Sequence, residues 1–125
     1  MSIIGIGLDL VKISRIKEIY TSSRKIAKKI LSFNEYQRYQ MNNFPIEFIA
    51  KHFSVKEAAS KALGTGIKEG IYFNQFELFH DFFGKPKLNL LGKARSISKQ
   101  LKIKKIHVSI SDEKKYVCSI VIFEN

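Results

Sequence analysis

Two acids and a lysine stand where chemistry is possible. Asp9 is the only acidic residue among the first 17, and it closes the apolar run Ile3-Ile4-Gly5-Ile6-Gly7-Leu8. An acid there either ligates a metal or caps the end of a strand. Glycines inside a strand weaken it and mark a close backbone approach, so Gly5 and Gly7 leave room for a ligand beside Asp9. Glu57 and Lys61 lie within Phe53-Ser54-Val55-Lys56-Glu57-Ala58-Ala59-Ser60-Lys61-Ala62-Leu63-Gly64-Thr65-Gly66. At spacing i, i+4 they share one face of a helix. The plain reading is a surface ion pair, worth about 0.3–0.5 kcal/mol. Three features set the pair apart. Alanines at 58, 59 and 62 permit close packing, and Gly64-Thr65-Gly66 offers backbone that can lie against a phosphate. A carboxylate and an ammonium on one face also suit a magnesium-bound diphosphate, one holding the metal and the other neutralising a phosphate oxygen.

The remaining candidates are weaker. His107 has basic neighbours, Lys104 and Lys105, and can donate to a phosphate, although a lone histidine is more often structural. Gly84-Lys85-Pro86 has no Ser or Thr after the lysine and is no P-loop, and Gly64-Thr65-Gly66 lacks the later glycine of a dinucleotide fingerprint. The histidines at 52, 80 and 107 are scattered, and Cys118 is the only cysteine. Zinc spacing, a disulfide framework and Cys/His catalysis are thereby excluded. Cys118 falls in a strand pattern and is expected to be a small buried residue. The Phe-rich run 73–83 resembles a base-stacking platform, but strand and core packing explain most of it better.

These residues need elements to position them. Residues 3–9 are expected to form a strand, and Ser14 to cap a short helix with Ile16, Ile19 and Tyr20 on its apolar face. A basic turn, 24–31, turns Ile26, Ala27, Ile30 and Leu31 inward. Ser32-Phe33-Asn34-Glu35 is a capping box for a helix to about Met41. Pro45 suits the first turn of a long helix ending at Leu63, with Gly64 as its cap. Phe48, Ile49, His52, Val55, Ala59, Ala62 and Leu63 mark its inner stripe. Strands are expected at 72–79, 87–91, 106–110 and 116–123. A helix is expected at 94–101 with Ile97 and Leu101 buried. The last two strands pair as a hairpin across Asp112-Glu113-Lys114-Lys115. The order predicts an α+β chain with an antiparallel sheet packed against helices, a single domain over 1–125.

Charge narrows the partners. The 125 residues carry 22 Lys and Arg against 11 acids, a formal net charge of +11. Such a chain meets an anionic partner: nucleic acid, anionic lipid, a phosphorylated ligand or an acidic protein. Only four of the basic residues are arginine, at 15, 24, 38 and 95. The lysine excess leans away from reading bases. A nucleic-acid-binding module is the alternative function, yet it leaves Asp9 and Glu57 without a role. Residues 13–31 are the only candidate membrane-binding helix, and their apolar positions equally fit a core. The N-terminus lacks a signal-peptide pattern and no apolar run approaches the ~18 residues of a span, so a cytoplasmic location is expected.

Taken together the motifs resemble a known family. Gly7-Leu8-Asp9 is similar to its first signature, and F-x-x-K-E-A-x-x-K-A-x-G-T-G over 53–66 to its second. Phe73-Asn74-Gln75-Phe76-Glu77, Gly84-Lys85-Pro86 and His107-Val108-Ser109-Ile110 extend the likeness over nearly the whole chain. The family is the holo-[acyl-carrier-protein] synthases, small bacterial 4′-phosphopantetheinyl transferases. The resemblance implies their α+β fold. It also implies transfer of the 4′-phosphopantetheine arm of coenzyme A to a serine of apo-acyl carrier protein, in support of fatty acid biosynthesis. Adenosine 3′,5′-bisphosphate is the leaving group. It implies Asp9 and Glu57 as Mg2+ ligands and Lys61 as the diphosphate contact. Lys56, Gly64, Thr65, Gly66, Pro86 and His107 match positions at or near the coenzyme A site. Arg15 and the basic helix with Arg24, Lys25 and Lys28 match the surface that docks the acidic carrier protein. A homotrimer with active sites at subunit interfaces is implied too. Asp112 departs from the pattern, because many relatives carry a histidine there.

Overall fold

The structure is a computed structural model describing Met1–Asn125. Strand β1 (Ile3–Lys12) leads into helices α1 (Ile13–Ser22), α2 (Lys25–Ile30), α3 (Phe33–Gln40) and α4 (Pro45–Leu63). A 3-10 turn (Phe73–Gln75) precedes β2 (Phe76–His80) and β3 (Pro86–Leu90). Helix α5 (Gly92–Gln100), β4 (Lys105–Asp112) and β5 (Tyr116–Glu124) complete the chain. The sheet order is β1-β5-β4, antiparallel throughout, and β2-β3 form a separate antiparallel pair.

Local signals set most boundaries. Both halves of the Ser32–Glu35 capping box are made, Pro45 opens α4, and Gly64 closes it with φ 85°. The hairpin across 112–115 forms as expected. Four expectations are corrected. Ser14 does not cap α1, which starts at Ile13 with no side-chain cap; instead Ile13 N–H donates to Lys115 O at 2.8 Å, tying the helix to the β4–β5 turn. The segment from Tyr72 coils through the 3-10 turn before it extends at Phe76. In α5 the small residues Ala94 and Ser98 face the core, while Ile97 is half-buried and Leu101, at the frayed end, is 39% exposed. In the Phe-rich run Phe76 is a core residue, but Phe82 and Phe83 stand in solvent at the β2–β3 turn.

Two apolar clusters flank α4. One joins its C-terminal half to β2, β3, α5 and β5 through Val55, Ala59, Leu63, Phe76, Leu78 and Phe123. The other joins its N-terminal half to α1 and α2 through Ile16, Tyr20, Ile30 and Ile49. Helix α4 therefore runs through the centre of the molecule, and the expected inner stripe is buried apart from half-buried Phe48.

A candidate active site where strand β1 meets helix α4

The approach of α4 to β1 follows from two glycines. A Cβ on Gly5 would overlap the Ala62 carbonyl oxygen, and one on Gly7 the Ala58 carbonyl oxygen. The close approach anticipated from these glycines is real, but helix backbone fills the space, not a ligand. Its consequence is positional. With Ala58 and Ala62 seated on β1, Glu57 and Lys61 come to the level of Leu8 and Asp9. Lys61 Nζ donates to Leu8 O at 2.9 Å and lies 3.3 Å from Asp9 Oδ1. The i, i+4 partner expected for Lys61 was Glu57; the salt bridge it makes is to Asp9.

Asp9, Glu57, Arg15 and Phe53 line one cavity of about 300 Å³. Asp9 Oδ2 is buried without a hydrogen-bond partner. An orphaned carboxylate oxygen is costly and points to a ligand. Glu57 is pushed above the ordinary glutamate range, first by burial and then by the negative charge of Asp9, while the Lys61 ammonium pulls it down. Two carboxylates that repel one another, one with an unused oxygen, are a donor set suited to a hard cation. No group of three or more His, Cys, Asp or Glu side chains gathers here. The chain would thus contribute two ligands, in keeping with magnesium, which usually retains waters and substrate phosphate oxygens.

Lys56 is elsewhere. The expectation of a coenzyme A contact is corrected: the residue is fully buried, and its ammonium donates to Glu35 Oε1 at 2.7 Å, Phe76 O at 2.5 Å and Phe73 O at 3.1 Å. An ammonium has three N–H bonds, and all are used. Burial lowers its pKa, and Glu35 opposes the shift. Glu35 Oε2 accepts from Leu78 N–H at 2.7 Å, and Ser32 Oγ bonds Glu77 at 2.5 Å. This network fastens α3 and β2 to α4. Periodicity carried a signal for it: Lys56 sits four residues after His52 and three before Ala59, on the inner stripe.

The other expected residues divide among three places. Gly64, Thr65 and Gly66 close α4: their N–H groups donate to Lys61 O and Ser60 O at 3.0–3.2 Å. The amides are thus engaged, at the helix end whose dipole repels anions, so any contact with phosphate there is by other atoms. Pro86 and His107 share a separate basic cavity of about 440 Å³ with Lys85, Lys87 and Lys105. His107 Nε2 lies 2.5 Å from Glu124 Oε1, and this bond depresses the Glu124 pKa. Arg24, Lys25 and Lys28 lie at the solvent face of α2, with Arg24 5.3 Å from the Tyr20 ring centre and Lys28 5.8 Å from that of Tyr36. Arg15 parts from them, since it lines the Asp9 cavity.

A third cavity, about 490 Å³, was not anticipated. Arg38, Lys51, His52, His80 and Asp112 line it from α3, α4, β2 and β4. Asp112 pairs with Lys51 at 3.2 Å, so the departure at 112 is balanced within the chain. His52 is buried against Phe48, with Nδ1 2.8 Å from Phe48 O, and burial drives its pKa down to about 3. It is neutral near pH 7. Cys118 is half-buried and free, and no helix is long and apolar enough to cross a membrane.

Residues 5–121 match the 4′-phosphopantetheinyl transferase superfamily. The chain is 57% identical over 125 residues to the holo-[acyl-carrier-protein] synthase of Buchnera aphidicola subsp. Schizaphis graminum, covering 99% of each. Its fold superposes with TM-score 0.92 on the crystal structure of holo-[acyl-carrier-protein] synthase from Neisseria meningitidis, at 33% identity over 99% of this chain and 100% of that one. A similar protein from Bacillus anthracis, solved in complex with coenzyme A (3′,5′-ADP), superposes with TM-score 0.81 at 32% identity, covering 97% and 96%.

Proposed function

The chain belongs to the 4′-phosphopantetheinyl transferase superfamily, and from that premise we propose how its residues divide the work. It acts as a holo-[acyl-carrier-protein] synthase, moving the phosphopantetheine arm of coenzyme A to apo-acyl carrier protein. In that reaction the carrier serine oxygen forms a bond to the β-phosphorus. The bond from that phosphorus to the bridging oxygen breaks, and adenosine 3′,5′-bisphosphate leaves. The reading rests most heavily on one observation: Asp9, which lines one cavity with Glu57, keeps a buried oxygen without a hydrogen-bond partner.

Asp9 and Glu57 would hold Mg2+. When bound, the ion supplies charge stabilisation to the diphosphate and its leaving oxygen. Lys61, held by Leu8 O and Asp9, keeps a positive charge in place before substrate arrives, so little reorganisation is needed. Burial and the charge of Asp9 raise the Glu57 pKa, and a bound cation would offset both and favour the ionised carboxylate. Lys85 and His107 are assigned to the phosphates of coenzyme A, with Pro86 beside them in the same basic cavity.

The acidic carrier protein is assigned to Arg15, Arg24, Lys25 and Lys28. Arg15 is exposed and lines the Asp9 cavity, so docking there brings the serine to the carboxylates. The encounter is steered by charge and weakened by salt. A homotrimer is the proposed working form. Its support is the outer row of β1, where Ile3, Ile6, Leu8 and Leu10 are each more than half exposed; such an apolar strip needs a cover. The reaction would serve fatty acid biosynthesis in the cytoplasm.

The test is to incubate the chain with coenzyme A, Mg2+ and an apo-acyl carrier protein and weigh the carrier. The expected result is a gain of one phosphopantetheine, abolished by a chelator and restored by added Mg2+. A carrier of unchanged mass across varied salt would overturn the reading. Light scattering reports the oligomer, with a mass of three chains expected.

A further inference from the structure

The turn between β2 and β3 presents an aromatic pair that the transferase account leaves unused. Phe82 is 96% and Phe83 90% exposed, and their rings meet edge to face with centroids 5.5 Å apart. Each ring offers about 150–250 Å² of largely apolar surface, which a soluble domain seldom leaves in water without use. The pair is not carried on a slack loop. Asp81 Oδ1 accepts from Phe83 N–H and Lys85 N–H, each at 2.9 Å. Asp81 N–H donates to Lys85 O at 3.0 Å and Gly84 N–H to Asp81 O at 2.9 Å, with Gly84 at φ 82°. These bonds hold the turn through one oxygen of the Asp81 carboxylate, Oδ1. The charge around it is mainly positive: Lys85, Lys87 and Lys105 border the cavity at the base of the hairpin, against Asp81 in the turn itself, and Glu124 is bonded to the cavity's His107.

Two exposed apolar rings beside a cavity lined by three lysines match a lipid interface. The rings enter the acyl boundary while the ammonium groups meet anionic headgroups. A protein partner would have to offer a shaped socket for two protruding rings; a bilayer yields to them. We propose that the Phe82–Phe83 tip, with Lys85, Lys87 and Lys105 behind it, docks this protein reversibly on an anionic membrane surface. The site is the hairpin and not the basic helices at 13–31. Lys85, Lys87 and Lys105 border the cavity assigned to the phosphates of coenzyme A, so vesicle binding is read without coenzyme A, and that readout stands or falls apart from the transferase reading.

The experiment is co-sedimentation of the full chain with vesicles of phosphatidylcholine alone and of phosphatidylcholine mixed with phosphatidylglycerol. Binding is expected on the anionic vesicles only, and high salt should weaken it. The double substitution F82S/F83S should lower it about tenfold or more, with carrier modification and oligomeric mass unchanged. Absent binding by the wild-type chain, or equal binding by F82S/F83S, would overturn the proposal. A folded F82S/F83S chain that loses carrier modification or changes oligomeric mass would also overturn it, by giving the tip to the carrier protein or to a second copy.

Discussion

Lys56 and Lys61 sit on the same helix, five residues apart, and meet opposite surroundings. Lys56 is 0% exposed and uses every N–H it has, on Glu35 and two carbonyls. The Lys61 side chain is 51% exposed and holds a carbonyl and one oxygen of Asp9, whose other oxygen has no partner. The first region is complete in itself. The second is incomplete without something more. A satisfied buried charge network fixes how elements sit, whereas an unsatisfied cluster at a cavity is where a ligand is missing. The difference shows that a single sequence motif serves two purposes, one residue apart: Lys56 orients α4, and Glu57 meets the cavity.

That division can be broken by substitution. Lys56→Met should have the largest effect, leaving Glu35 as a buried uncompensated charge at a cost of about 3–5 kcal/mol, measured by denaturant unfolding. A second change, Glu35→Gln in that background, should recover part of the loss, and the molecules that remain folded should still modify the carrier. A Lys56→Met chain of normal stability but no activity would move Lys56 into the site. Asp9→Asn should do the reverse. Transfer should fall about 10²–10³-fold while the melting temperature holds or rises, since a carboxylate with a buried, unpartnered oxygen is removed.

Smaller effects sharpen the contrast. Gly7→Ala places a methyl group against the Ala58 carbonyl and should cost about 1–3 kcal/mol, with transfer falling too, because α4 carries Glu57. Gly64→Ala, where nothing lies near the added carbon, should destabilise only through its left-handed backbone. Lys61→Met should remove the charge held for the diphosphate and also act through proton affinity. Lys61 holds the Glu57 pKa down against burial and Asp9, so its loss raises that pKa further. Ionised Glu57 is the form required, so the acidic limb of the pH–rate profile should move to higher pH. An unmoved limb would show that Lys61 does not act on Glu57.

Much of this was legible from local chemistry. The Ser32–Glu35 box, Pro45 and Gly64 mark their boundaries because each satisfies helix-end groups within a few residues. Asp9, Glu57 and Lys61 were identifiable as candidates, and the helical spacing put the last two on one face. What stayed hidden is tertiary. Gly7 announces a close approach but not what approaches, and the answer, Ala58 O, is 51 residues away in the chain. Lys56 lay on the inner stripe, but its partner Glu35 comes from a different helix. The exposure of Phe82 and Phe83 was readable in part, since Asp81-x-x-Gly84 has the form of a turn and places both rings at its tip.

The central claim is that Glu57 performs chemistry that its neighbour Lys56 does not. Its most direct test follows carrier-protein mass over time, with coenzyme A and Mg2+, for the wild-type chain and for Glu57→Gln. The account predicts a wild-type carrier that gains the arm, and a Glu57→Gln chain that melts at or above the wild-type temperature yet leaves the carrier unmodified. Modification by Glu57→Gln at the wild-type rate would contradict it.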